Sequence, residues 1–331
     1  MPLNHRTSRI ASAAVALSMA GLGGCIEYQV DTTLRPDGTG RRELRVEATN
    51  AHDLQDYDLT TQDFQRLTFL SEEEGWSYSA EVHEDGGTTH IFQRDRGVET
   101  LDAWSALEGD IRIAAALPSA SSSKLGYLTL GDVHFRNRIL VGTSQRSDGS
   151  ETFNYQETFF WENGVDAILE VVLQEVEAAL RRSYPRVPER DRGEILGFAR
   201  ASLWDAVEEG VFDVSGEWED RLWAEAIRRT ARQAIKVIRT SYPEAQEDSL
   251  REATDVFSGD SEEALIDALV HTLPGLNLAI NSEVSFRLTM PGQVTNTNAH
   301  EQDGNTLIWE FGPADALGAP ILLVAESVMG S

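Results

Sequence analysis

Cysteine is almost absent from this 331-residue chain, which holds one, Cys25. A single thiol excludes an intramolecular disulfide framework and a cysteine-based zinc site. Lysine is nearly absent too, with only Lys124 and Lys236 among 28 basic residues. Against 55 acidic residues, this leaves a formal net charge of −27. Such a balance excludes broad electrostatic binding to nucleic acid, which needs a cationic surface. The chain also lacks H-E-x-x-H, G-x-S-x-G, a Walker loop and a Rossmann fingerprint. Its seven histidines show no metal-ligand spacing, so no metal or cofactor is expected. His83 and His90 flank an expected hairpin turn that contains Glu84 and Asp85, and they read as exposed turn residues. What is plentiful is aromatic: seven Trp, seven Tyr and twelve Phe within a 41% hydrophobic composition. That is enough for a sizeable core and excludes disorder as the dominant state.

The lone cysteine closes a recognisable N-terminal pattern. Arg6 and Arg9 form a short positive region, and residues 10–22 follow as a mostly apolar run without charge. Thirteen residues are too few to span a bilayer core of about 30 Å, yet they suit the h-region of a signal peptide. Leu22-Gly23-Gly24-Cys25 then resembles the bacterial lipobox. The resemblance implies diacylglycerylation of the Cys25 thiol, cleavage before it, and acylation of the new N-terminus. Two or more acyl chains make a stable anchor, because each buried CH₂ contributes about 0.8 kcal/mol. In enterobacterial lipoproteins an Asp after the cysteine favours the inner membrane. Ile26 stands here instead, which points to the outer membrane of a diderm host. Loss of residues 1–24 removes two arginines and no acid, bringing the net charge to −29.

The remaining chain is expected to be α+β: an antiparallel β-sheet domain with packed helices, interrupted by an all-α helical insertion. The boundaries are 1–24 for the signal peptide, 25–161 and 281–331 for the β-rich domain, and 162–280 for the insertion. Ile26, Tyr28, Val30 and Leu34 alternate with polar residues, residues 36–40 (PDGTG) turn, and Leu44, Val46 and Ala48 alternate again. A helix is expected over residues 60–74 and a short one over 100–107. Further strands are expected over 76–82, 90–92, 127–142 and 152–161. From Asn163 the apolar period changes to 3.6, with Asn163 as cap and Val165, Ile168, Leu169, Val172 and Val176 on one stripe. Later helices are expected over 189–209, after a Ser215 cap, up to Phe257, and from Asp260 to a stop at Pro274-Gly275. Strands return over 284–290, 307–311 and 321–325. Arg182-Ser183-Tyr184-Pro185 is echoed by Thr240-Ser241-Tyr242-Pro243, each at a helix end. Either a duplicated helix pair or a reused stop signal accounts for the echo.

Two stretches resemble the LppM-type domain of bacterial lipoproteins. One is residues 25–46 (CIEYQVDTTLRPDGTGRRELRV). The other is residues 284–311, through Met290-Pro291-Gly292, the Asn296 to Ala299 segment, Asp303-Gly304-Asn305 and Trp309. The resemblance implies a sheet domain on a lipid anchor, in a family sometimes linked to envelope-lipid binding. It covers about 50 residues and does not extend to the helical insertion.

One charged constellation runs against the rest of the chain. Arg221, Arg228, Arg232 and Arg239 recur at spacings of 7, 4 and 7, so they share one helix face. This stripe is a candidate contact for anionic lipid headgroups or an acidic partner, or else a solvated face paired with neighbouring acids such as Glu219 and Glu225. The leading function is therefore a non-enzymatic, membrane-anchored envelope lipoprotein that binds lipid or another envelope component. A protein–protein adaptor docking through the helical block and a carboxylate-based hydrolase are the alternatives. An apolar cavity large enough for acyl chains would favour lipid binding, whereas the hydrolase needs two acids converging in a cleft.

Overall fold

The computed structural model describes residues 26–49, 61–83, 88–117, 123–212, 220–258, 260–280 and 282–329. Its fold is α+β. Strands β1 (Ile26–Leu34) and β2 (Gly40–Thr49) form the expected hairpin, in register from Ile26↔Ala48 to Leu34↔Gly40. Their turn uses Gly38 at φ +80°, and Asp37 accepts the Thr39 amide at 3.0 Å and its hydroxyl at 2.7 Å. The expected helix over 60–74 is broken. Helix α1 (Thr61–Thr68) stops at Phe69, which takes a left-handed φ of 58°, and a 3-10 turn follows at Glu72–Glu74. Strands β3 (Ser77–Val82) and β4 (Thr88–Val98) extend the sheet, and a 3-10 helix at Leu101–Leu107 carries the fully buried Trp104.

The next strands leave the first sheet: β5 (Arg112–Ala114), β6 (Lys124–Leu125), β7 (Leu128–Thr129), β8 (His134–Gln145) and β9 (Glu151–Glu162). Of these, β5, β8 and β9 belong to a second sheet, and β6 and β7 pair with each other as a short separate ladder. The single strand expected over 127–142 is thus corrected. Gly126, at φ +59°, turns the chain between β6 and β7, and a 3-10 turn at Leu130–Asp132 intervenes before β8. Turn chemistry overrides the apolar alternation there.

Helices α2 (Gly164–Ser183), α3 (Glu189–Glu208), α4 (Asp220–Ile238), α5 (Glu247–Thr254), α6 (Asp260–Thr272) and α7 (Pro274–Ile280) fill the middle of the chain. Asn163 precedes α2 but does not cap it by side chain. It is left-handed, with φ 56°, and its Nδ2 donates to the Asp132 carbonyl at 3.0 Å. Ser215 lies outside the described residues. Pro274 opens α7 rather than ending the helical region, as suits a residue with no N–H to lose in a first turn.

Strands β10 (Ser282–Thr289), β11 (Gln293–Thr297), β12 (Glu301–Asp303), β13 (Thr306–Phe311) and β14 (Ile321–Met329) complete both sheets. The orders are β12-β13-β10-β1-β2-β4-β3 and β11-β14-β9-β8-β5. All pairings in these two sheets are antiparallel except β1 with β10, which run parallel from Ile26↔Ser282 to Thr33↔Thr289. The sheets meet through aromatic side chains: Tyr155 and Phe159 of β9 lie 6.3 and 6.2 Å from Phe286 of β10, and Phe159 lies 4.9 Å from Phe311. One continuous cluster of buried apolar residues spans both sheets and the helices.

Gly275 marks the seam between helices and sheet. Its amide donates to Ala115 at 2.9 Å, and a Cβ there would sit 1.7 Å from the Ala114 carbonyl oxygen. Helix propensity favours Ala over Gly by about 0.8–1 kcal/mol, but a backbone collision of this kind costs about 1–3 kcal/mol or more. Gly275→Ala is therefore expected to lower the urea midpoint. A raised midpoint would contradict the close approach.

Candidate functional site

Leu22, Gly23, Gly24 and Cys25 lie outside the described residues, but Ile26 directly after them is the first residue of β1. In register beside it stand Ala48 at the end of β2 and Ser282 at the start of β10. The last residues of β9 lie at the same end, because Trp161 donates its indole N–H to the Pro313 carbonyl at 2.9 Å, just past β13. The helices begin after β9 and finish before β10. Both junctions of the helical block are therefore at the end of the molecule where Cys25 precedes Ile26.

Within that block α4 packs along α3 and buries Leu222, Trp223, Ala226, Ala231, Ala234 and Ile238. Its opposite face carries Arg221, Arg228, Arg232, Lys236 and Arg239, all exposed. The structure thus places the four stripe arginines on one solvent-facing side. Glu225 is shared by two of them and by neighbouring Arg229: its carboxylate lies 2.9 Å from Arg228, 2.9 Å from Arg232 and 3.5 Å from Arg229. Arg229 also reaches Glu209 at 2.9 Å, and Arg239 donates to the Ala245 carbonyl at 2.9 Å. Exposed pairs of this kind contribute little stability each. The echoed Tyr-Pro segments meet, with Tyr184 and Tyr242 packed edge to face at 5.2 Å and the Arg186 amide donating to the Tyr242 hydroxyl at 2.9 Å.

His83 Nε2 lies 2.8 Å from the Thr89 hydroxyl, and His90 Nδ1 lies 2.9 Å from the Tyr78 hydroxyl, while Glu84 and Asp85 lie outside the described residues. Among the described residues no group of three or more His, Cys, Asp or Glu could hold a metal ion. No helix among them is long and apolar enough to cross a membrane. His134 of β8 is half-buried, 2.9 Å from Glu162. Burial holds its imidazole below the ordinary histidine range, aided by Arg136 and Arg112, and Glu162 offsets this only in part. A depressed histidine contributes stability that is complete above about pH 6.5 and is lost as pH falls below it. His134→Gln should therefore flatten the fall in stability as pH drops below about 6.5, measured by urea melts at each pH. An unchanged slope would remove His134 from the account.

Sequence reading missed a buried ionic cluster between the sheets. Arg42 of β2 is fully buried and uses all five of its N–H groups. It donates to Asp110 at 2.8 and 3.3 Å, to Glu157 at 3.0 and 2.8 Å, and to the Thr32 hydroxyl at 3.0 Å. Asn137 Nδ2 bridges Asp110 and Glu157 at 2.9 and 2.7 Å, and the Tyr155 hydroxyl donates to Glu157. Burial works against the Arg42 charge, but Asp110 and Glu157 hold its guanidinium firmly protonated. Burial pushes Glu157 up, and Arg42 counters this in part. Four donors on two carboxylate oxygens demand the ionised form. The side chains of Glu157 and Asp110 are 0% and 5% exposed, which leaves no cleft for a substrate or a hydrolytic water between them.

A cleft lined by Val172, Val176, Ala199, Leu203, Ile227, Thr230 and Phe257 among the helices measures about 20 Å³, the size of one water and far below an acyl chain. Two larger surface grooves, of about 370 and 380 Å³, lie on the outer face of the first sheet beside Arg41 and Arg45 and beside Glu27, Glu283 and Glu310. The chain matches no family model and no curated protein. Among solved structures it is similar to the folded domain of LppM from Mycobacterium tuberculosis, determined by NMR, over 94% of each chain at 8% identity, and with a TM-score of 0.31 that likeness carries no argument.

Proposed function

We propose that this protein is a bacterial envelope lipoprotein, held at a membrane by acyl chains on Cys25, and that it acts by binding an envelope component at the membrane surface rather than by catalysis. The observation that carries the reading is the lipobox Leu22-Gly23-Gly24-Cys25 abutting strand β1 at Ile26. With no linker between anchor and strand, and about 3.5 Å per extended residue, the folded domain stands within roughly 10 Å of the bilayer. The closed ionic cluster favours a surface contact over a carboxylate hydrolysis site.

The test is intact mass measurement of the protein extracted from host membranes in detergent, repeated under native conditions. The expected species begins at Cys25 and carries a diacylglyceryl group with or without an N-acyl chain, and native spectra retain a bound envelope component. An unprocessed chain, or a mature one without added lipid, would refute the anchor.

A further inference from the structure

We infer that the helical block faces the membrane, and that the basic side of α4 docks against anionic phospholipid headgroups of the same bilayer that takes the Cys25 acyl chains. This rests on the anchor reading and adds an orientation and a ligand class to it. Three observations carry it.

The first is topology. The helices leave β9 and rejoin β10 at the anchor end of the molecule, and Ser282 of β10 pairs beside Ile26 of β1. Neighbouring strands lie about 4.8 Å apart. The helical block is thus rooted one strand spacing from the residue that follows the lipidated cysteine. The β1–β2 turn at Asp37 is at the opposite end of the same hairpin, about 30 Å away along nine residues of strand.

The second is charge. Arg221, Arg228, Arg232, Lys236 and Arg239 run along one exposed face for about 27 Å, with Glu225 shared by Arg228 and Arg232. The chain as a whole carries −27, so an anionic surface repels most of it and attracts this face. The third is chemistry. Guanidinium groups present paired N–H donors that match phosphate oxygens, and Arg228 and Arg232, which share one carboxylate, keep donors to spare. A polybasic stripe close to a membrane surface is held by the negative surface potential and released by salt.

The lipid itself provides the means to test this. Acylation occupies the only native thiol, so a cysteine introduced into the mature lipidated protein can be labelled alone. Fluorophores are placed at Lys236→Cys on α4 and, in a second protein, at Asp37→Cys. Each is reconstituted into phosphatidylglycerol or phosphatidylcholine vesicles that carry a headgroup-linked nitroxide quencher. The expected result is quenching at 236 in phosphatidylglycerol, at least about twofold greater than at 37 and largely lost in about 1 M salt, where the screening length is about 3 Å. Arg228→Gln with Arg232→Gln should likewise reduce it while the protein still sediments with the vesicles. Equal quenching in both lipids, or none at 236 in protein that sediments, would overturn the headgroup contact and leave the anchor standing. Failure to sediment in either lipid would overturn the anchor and this inference with it. Quenching at 236 only after an acidic envelope protein is removed from the preparation would assign the face to that partner instead.

Discussion

Arg42→Met is expected to destabilise the protein by about 3–5 kcal/mol, the range for breaking a buried ion pair by deleting one partner. At roughly 2–4 °C per kcal/mol, the melting temperature should fall by about 6 °C or more. The loss has two parts. Five hydrogen bonds disappear from a site with no water to replace them, and Asp110 and Glu157 are left buried without their cation. Arg42→Lys keeps the charge but offers three donors from one point, which cannot serve Thr32, Asp110 and Glu157 together, so it should recover only part of the loss. Adding Glu157→Leu to Arg42→Met should be less damaging than the two single costs combined, because the second change removes the stranded charge. Urea denaturation of the four variants by circular dichroism checks the cycle. A loss below about 1 kcal/mol for Arg42→Met, with additive behaviour in the double variant, would mean the cluster is not the fastening it resembles.

Trp104→Ala should cost a similar amount, about 3–5 kcal/mol. The indole is fully buried, meets Tyr155 edge to face at 6.4 Å, and donates its N–H to the Gly38 carbonyl at 3.0 Å. Gly40 is bare for this ring: a Cβ there would lie 2.3 Å from Cζ2 of Trp104 and 2.3 Å from the Thr33 carbonyl oxygen. The ring and the Thr33 carbonyl both crowd this position, so Gly40→Ala should be damaging in the native protein and only partly less so once Trp104 is alanine, because the backbone contact with Thr33 persists. Trp104→Phe retains most of the apolar contact and loses the hydrogen bond, so its cost should be intermediate. Thermal melts rank the three. A Trp104→Ala variant as stable as the parent would show that the aromatic fills no essential volume.

Much of this architecture was legible in residue alternation, and the exceptions have physical causes. The hairpin of β1 and β2 and the long helices followed directly, because period 2 and period 3.6 reflect which side chains are removed from water. Division of the strands into two sheets was not legible, since alternation marks a buried face without saying what covers it. The parallel pairing of β1 with β10 was hidden for the same reason. The ionic cluster did leave a trace. Arg42 continues the inward series of Leu44 and Val46, Glu157 sits between Tyr155 and Phe159, and Asn137 sits between Phe135 and Ile139. Opposite charges on inward positions of separate strands were the available signal. The basic stripe and its pairing with Glu225 were readable from spacing, whereas its attachment at the anchor end needed the fold.

The pairing of Ile26 with Ser282 has a consequence in time. Strand β1 emerges first from any machine that delivers the chain from its N-terminus, yet one of its two neighbours is among the last elements made. Until Ser282–Thr289 arrives, the edge of β1 that will receive it stays open. Non-local closure of this kind is slow and exposes the incomplete sheet to wrong pairings. The protein should accordingly need a holding partner during its delivery, and a chain truncated before β10 should aggregate rather than persist as a smaller domain.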